Sequence, residues 1–362
     1  MALQTEALVE VMRGGRVESE HRGAIAVVDA NGVLIAHSGD VGLVSYLRSS
    51  AKPFQLLPLV ESGAADRLGF TDVELAVIAG SHSGEPRHVA AVQSILHKIG
   101  LDEDALQCGI HVPFNADAAK ALQAAGRKPT ALHNNCSGKH AGMLAQAVDR
   151  GLSTQDYFDP QHPVQVAIRQ RLAELGGIAF EEIGVGVDGC SAPCFALPLQ
   201  AAALAFARLA EAGRDPTGAL RGIREAGLAR VARVMREYPG MVAGEGRLDT
   251  DLMRAAPGRV VSKGGAEGYH GLGIVAENGP ALGIAIKIGD GDGKRGVHPA
   301  VIETLRQMGV LDAAALRALK NYHTWKITNH RGMEVGEVRA NFTLVRDQVT
   351  YQGEASLGTP SR

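Results

Sequence analysis

Ser49 and Lys52, within RSSAKPF (Arg48 to Phe54), form the first arrangement in this chain whose residue types can do covalent chemistry. They lie three residues apart, so on a helix they face the same way within hydrogen-bond reach. A serine hydroxyl is a weak nucleophile and needs a base. A lysine serves if burial or a neighbouring cation lowers its pKa. Free backbone N–H groups at a helix start would polarise a carbonyl placed there. Alone, S-x-x-K is a common tetrapeptide, and an N-cap serine followed by a solvated lysine accounts for it equally well. Proline is tolerated only in a helix's first turn, so Pro53 predicts a helix beginning near Ser50 with Ser49 as its cap.

Further clusters follow. GSHSGE (Gly80 to Glu85) is a turn that can project the Ser81 and Ser83 hydroxyls into a cleft, or simply end a helix. HNNCSGKHAG (His133 to Gly142) gathers amides, a thiol, a hydroxyl and two possible cations ahead of a helix, more than capping by Asn135 or Ser137 requires. VDGCSAPC (Val187 to Cys194) sets Asp188 and Cys190 after a β-rich run, as at a strand end facing a cleft. Cys136 and Cys190 can ligate a soft metal, but neither belongs to a CxxC pair, and Lys139, His140 and Asp188 are ambiguous further ligands. SKGGAEG (Ser262 to Gly268) offers Lys263 among glycines that let a substrate approach a strand edge. KIGDGDGKR (Lys287 to Arg295) lacks the final glutamate of a calcium loop and reads as a polar turn.

The elements that must position these groups are legible. GAIAVVDANGVLIAHSG holds two β-rich runs about Asn31-Gly32, and GLGIVAENGPALGIAIKIG repeats the design about Asn278-Gly279. Both predict hairpins, hence antiparallel strands. Between them Thr71 and Glu74 form a capping box. Helices are expected over 88–99, ending at Gly100, and over 139–150, 164–175, 197–212 and 219–237. Two more are expected in 299–320, broken at Gly309. The fold class is α+β: an antiparallel sheet made by both chain ends, with a largely helical lobe inserted. The expected divisions are a catalytic unit over 1–330, its sheet lobe from about 10–48 and 260–330 and its helical lobe about 49–259, then a C-terminal extension and tail over 331–362.

At 362 residues the chain can bury a large core, and its net charge of −2 with 4% aromatics offers no nucleic-acid surface. The apolar stretch 196–207 is too short to span a membrane, and no N-terminal secretory signal is visible. Four cysteines in so long a chain fit a reducing compartment, so a cytoplasmic location is expected.

An early S-x-x-K, a hydroxyl-bearing box and a lysine box before a C-terminal strand form the layout of penicillin-recognising serine enzymes, and serine-dependent glutaminases look similar. The wording here differs from both. RSSAKPFQ, SHSGE, HNNCSGKH, VDGCSAP, SKGGAEG and KIGDGD, in that order, resemble the class 3 (rhizobial-type) L-asparaginases from about residue 10 to about residue 330. The resemblance implies a fold similar to serine β-lactamases and glutaminases, a homodimer, and hydrolysis of L-asparagine to aspartate and ammonia. It implies two Ser–Lys tandems, Ser49 with Lys52 and Ser81 with Lys263. It implies a zinc site on Cys136, Lys139 and Cys190, with Asp188, Arg48 and His140 on the substrate side. Rival readings are a β-lactamase- or penicillin-binding-like enzyme, which would need export, a glutaminase serine hydrolase, and a catalytically silent amino-acid or metal binder.

Overall fold

The computed structural model describes residues 5–215, 222–276 and 279–346. The strands are β1 (Glu6–Arg13), β2 (Arg16–Asp29), β3 (Leu34–Ser38), β4 (Val44–Tyr46), β5 (Gly184–Val187), β6 (Pro193–Pro198), β7 (Val260–Gly264), β8 (Tyr269–Ile274), β9 (Leu282–Ile288), β10 (Trp325–Thr328), β11 (Glu334–Ala340) and β12 (Val345–Arg346). The principal sheet runs β10-β11-β1-β2-β9-β8-β7, with β3 and β12 paired beside the second half of β2. Every pairing is antiparallel, and both chain ends supply strands. The sheet does not stop at residue 330: β11 lies between β1 and β10 and pairs with both, so the segment expected as an extension supplies an inner strand of the sheet. The expected tail, 353–362, lies outside the described residues.

Both hairpin regions are antiparallel pairs, with differences in the turns. In the first, only Gly32 takes positive φ (88°); the turn is held by the Asp29 carboxylate, which accepts from the N–H groups of Asn31 and Val33. In the second, β8 and β9 pair as expected, while Asn278 lies outside the described residues. A hairpin missed in the sequence joins β1 to β2 through Gly14 and Gly15, both at positive φ. A separate three-stranded sheet, β4-β6-β5, ends on Asp188.

The helices that matter here are α1 (Lys52–Glu61), α2 (Asp72–Ile78), α3 (Pro86–Lys98), α4 (Ser137–Asp149), α5 (Pro163–Gly176), α6 (Leu199–Ala212), α7 (Ile223–Glu237), α8 (Leu248–Ala255) and α9 (Val297–Gln307). Thr71 and Glu74 cap α2 reciprocally, as their spacing predicts. The sheet separates two cores. On β2, Ala24, Ala26 and Val28 face the helical lobe, and Ile25 and Val27 face α9 and the chain's C-terminal part. The small residues are required because α6 lies directly on the sheet. A Cβ on Gly283 would sit 1.8 Å from the Ala203 carbonyl oxygen, and one on Gly271 would meet the Phe206 ring at 2.0 Å. Gly283→Ala must therefore lift α6 off the sheet. The expected loss of stability is about 1–3 kcal/mol or more, read by urea unfolding.

Candidate active site

Ser49 does not cap a helix. A tight turn over Arg48–Ala51 precedes α1, and no side chain caps either segment. Pro53 falls in the first turn of α1, where its missing N–H costs nothing. Arg48 has φ of +50°, a left-handed conformation that costs a non-glycine residue about 1–3 kcal/mol. It is held there by its neighbours: the Leu47 N–H donates to the Phe195 carbonyl, and the Arg48 guanidinium donates to Asp188 Oδ1 at 2.8 and 3.2 Å. The strained step turns Ser49, half-buried, into a cavity of about 290 Å³.

Ser81 lines the same cavity from the turn after α2. Its backbone N–H donates to the Val242 carbonyl, and Ser83 Oγ donates to that of Ala243. Gly80 must be glycine, since a Cβ would meet Val242 O at 2.7 Å. Lys263 comes from β7. Strand alternation sends Val261 and Lys263 towards the helical lobe, and Val260 and Ser262 to the other face.

The lysine pairing differs from the one read along the sequence. Lys52 Nζ donates to Ser81 Oγ at 2.8 Å and to the Asn135 carbonyl at 3.1 Å, not to Ser49. Lys263 Nζ donates to the Gly264 carbonyl at 2.7 Å. Two residues three apart in sequence share a helix face only where the helix is continuous, and here the chain changes from the tight turn to α1 between them. Both lysines are buried. Burial pushes the Lys52 amine down against the pull of Cys136, with Lys139 lowering it further. Lys263 is pushed down to about 7, by burial first, then by the charges of Lys52 and Arg247, with Asp249 opposing.

Cys136, Lys139 and Cys190 are brought together. Lys139 Nζ donates to Cys190 Sγ at 2.9 Å, and all three side chains are buried. The hydrogen bond with Cys190, then the charges of Lys52 and Lys139, hold the Cys136 thiol well below its usual range, while Cys190 is driven up. Among the described residues no three His, Cys, Asp or Glu side chains cluster as a metal set, so a metal here would need the lysine. Asp188 stays ionised: burial opposes this, and the hydrogen bond from Arg48 and the Lys139 charge outweigh it. His140 does not line the cavity. It is fully buried, with Nδ1 at 2.7 Å from the Tyr157 hydroxyl and Nε2 unpartnered.

Sequence reasoning passed over the cavity's other polar walls. Arg247, Asp249, His270 and His298 all line it. Asp249 is buried and accepts from Ser262 Oγ at 2.6 Å and from the Gly264 N–H, with His270 Nε2 at 3.3 Å. Burial works to raise this carboxyl, but its hydrogen bonds and the Lys263 charge hold it low. The unit fixes the strand end that carries Lys263. LDTDLM would have flagged it only through the rarity of a buried aspartate, which no sequence pattern reveals.

The family model described as L-asparaginase II matches residues 9–340, nearly the whole chain. The chain belongs to this family. As an L-asparaginase II family member it is an amidohydrolase of the asparaginase kind, acting on an amide substrate such as asparagine. Among curated proteins nothing matches it. Solved structures similar to it include a probable glutaminase from Bacillus subtilis complexed with 6-diazo-5-oxo-L-norleucine, at 14% identity and TM-score 0.40, covering 82% of this chain and 87% of that one. Another is a Bacillus glutaminase in 4.3 M NaCl, at 12% identity and TM-score 0.39, covering 80% and 91%. The family member has no described helix long and apolar enough to cross a membrane, and its four cysteines are all free thiols.

Proposed function

We propose that this family member is an L-asparaginase, hydrolysing L-asparagine to L-aspartate and ammonia through a serine acyl-enzyme. The supporting observation is the buried Lys52 amine donating to Ser81 on the wall of a cavity that also carries Ser49. Ser49 Oγ attacks the side-chain amide carbon, and its proton passes towards Lys52 through Ser81. The carbon–nitrogen bond breaks, the nitrogen takes the proton, and ammonia leaves the ester. Water then attacks the ester, returns a proton to Ser49 Oγ and releases aspartate. Ser49 is the acylated hydroxyl because it is half-exposed, whereas Ser81 is buried and already engaged. A second reading, acylation of Ser81 with Lys52 as its direct base, is favoured by the 2.8 Å bond between them.

Ammonia release from L-asparagine, with L-glutamine and a chromogenic β-lactam for comparison, tests the activity. A β-lactam turned over faster than asparagine would overturn the assignment. Lys263, whose own basicity the nearby Lys52 charge lowers, is in this reading the group that takes the proton on from Ser81 and Lys52 and so sets the acid limb. Protonated below about 7 and neutral above it, the amine can accept that proton only on the alkaline side. The expected kcat/KM therefore rises with pH through about 7, and Lys263→Met removes that limb from a profile followed by ammonia release.

The donor set of two buried thiols and an amine fits zinc, which would be held by Cys136, Cys190 and Lys139. When bound, it would supply positive charge that shapes the substrate side of the pocket near Asp188. Chelation is expected to strip the metal, as measured by atomic emission, while kcat at saturating asparagine persists. Complete loss of turnover restored by zinc would refute that division of labour.

A further inference from the structure

The cavity that carries Ser49 and Ser81 contains a cation whose charge no carboxylate among the described residues answers. Arg247 lines it half-buried, just ahead of α8. Its Nη1 lies 3.4 Å from Ser83 Oγ, and its guanidinium sits over the Phe114 ring, 5.5 Å from the centroid. Among the described residues it forms no ion pair with a carboxylate. The neighbouring charges are already engaged. Arg48, which the family resemblance sets on the substrate side, spends two donors on Asp188 and does not line the cavity. Asp249 is taken up by Ser262, Gly264 and His270.

We propose that Arg247 anchors the α-carboxylate of the substrate, so that the cleft selects amides that carry a carboxylate. This rests on the asparaginase reading and names the group that would hold one end of that substrate. A guanidinium offers parallel donors that match a carboxylate, and its charge is permanent. The Phe114 ring lies against the guanidinium and restricts its orientation, so little freedom is lost when an anion arrives. A carboxylate entering the cavity loses water and requires such a partner. Engaged with Asp188, Arg48 is a poor second choice for this task.

The test uses the full chain and its Arg247→Met and Arg247→Lys variants. L-Aspartate binding is titrated by calorimetry. Kinetics are compared on L-asparagine and on L-aspartic acid diamide, whose α-carboxylate is replaced by a neutral amide. Loss of a charge-assisted pair is worth about tenfold or more. Arg247→Met is therefore expected to weaken L-aspartate and raise KM for L-asparagine by at least about that factor. It should leave kcat and the diamide within about threefold, and Arg247→Lys should recover part of the loss. Unchanged L-aspartate affinity, or equal damage to both substrates, overturns the proposal. If the wild-type chain releases no ammonia from any amide, the asparaginase reading falls by itself. The titration still decides Arg247: selective loss of L-aspartate in Arg247→Met upholds the anchor, and no binding by the wild-type chain overturns it.

Discussion

Ser49→Ala is expected to cut ammonia release from L-asparagine by at least about 10³-fold with the fold intact, because it deletes the only atom that can carry the acyl group in the proposed sequence. Ser49 is half-buried, caps no helix and lies on the cavity wall, so removal of its hydroxyl leaves the core unchanged. Ser81→Ala is expected to cost less, about 10- to 10²-fold, since water can stand in for a hydroxyl that passes a proton. Trapping of an acyl-enzyme followed by mass spectrometry locates the ester directly. An ester on Ser81, with Ser49→Ala still active, would move the nucleophile to Ser81 and make Lys52 its direct base.

Lys52→Met carries the other large effect. The amine is buried and donates to Ser81 Oγ and the Asn135 carbonyl, which makes it the basic group in direct contact with a cavity hydroxyl. Its removal is expected to lower kcat by about 10²–10⁴-fold, the range for losing a positioned acid–base group. Stability should move the other way or barely change. Burial already disfavours the charged amine, so an apolar side chain of similar shape relieves a cost of the native state. A slow enzyme with an unchanged or raised Tm, by calorimetry, is the expected pair of results. Near-normal turnover would remove Lys52 from the mechanism, whatever its hydrogen bond.

Both predictions draw on residues that the sequence exposes and on contacts that it hides. The chemistry-bearing boxes were visible because serine, lysine and cysteine are grouped in short glycine-rich runs that capping and turns do not need. His140 shows the limit of reading by proximity: it follows Lys139 directly, yet it points away to Tyr157, since neighbours on a helix diverge by about 100°. Arg247 and Asp249 stood in no recognisable box, because what marks them is burial and the absence or presence of a partner, and these arise only on folding.

Local pattern alone determined the antiparallel hairpin strands, the α2 capping box and the helix after Gly138, since each depends on residues a few positions apart. Which serine hydroxyl Lys52 meets was decided only by tertiary structure. Ser49 and Lys52 are close in sequence, but the change from the tight turn to α1 turns the amine towards a loop that follows α2. The depressed basicity of Lys263 has the same origin, because it follows from the β7 alternation that buries the amine near Lys52 and Arg247. Sequence spacing fixes geometry within an element. The distances between elements, and the loss of water around a charge, are set by how the elements pack.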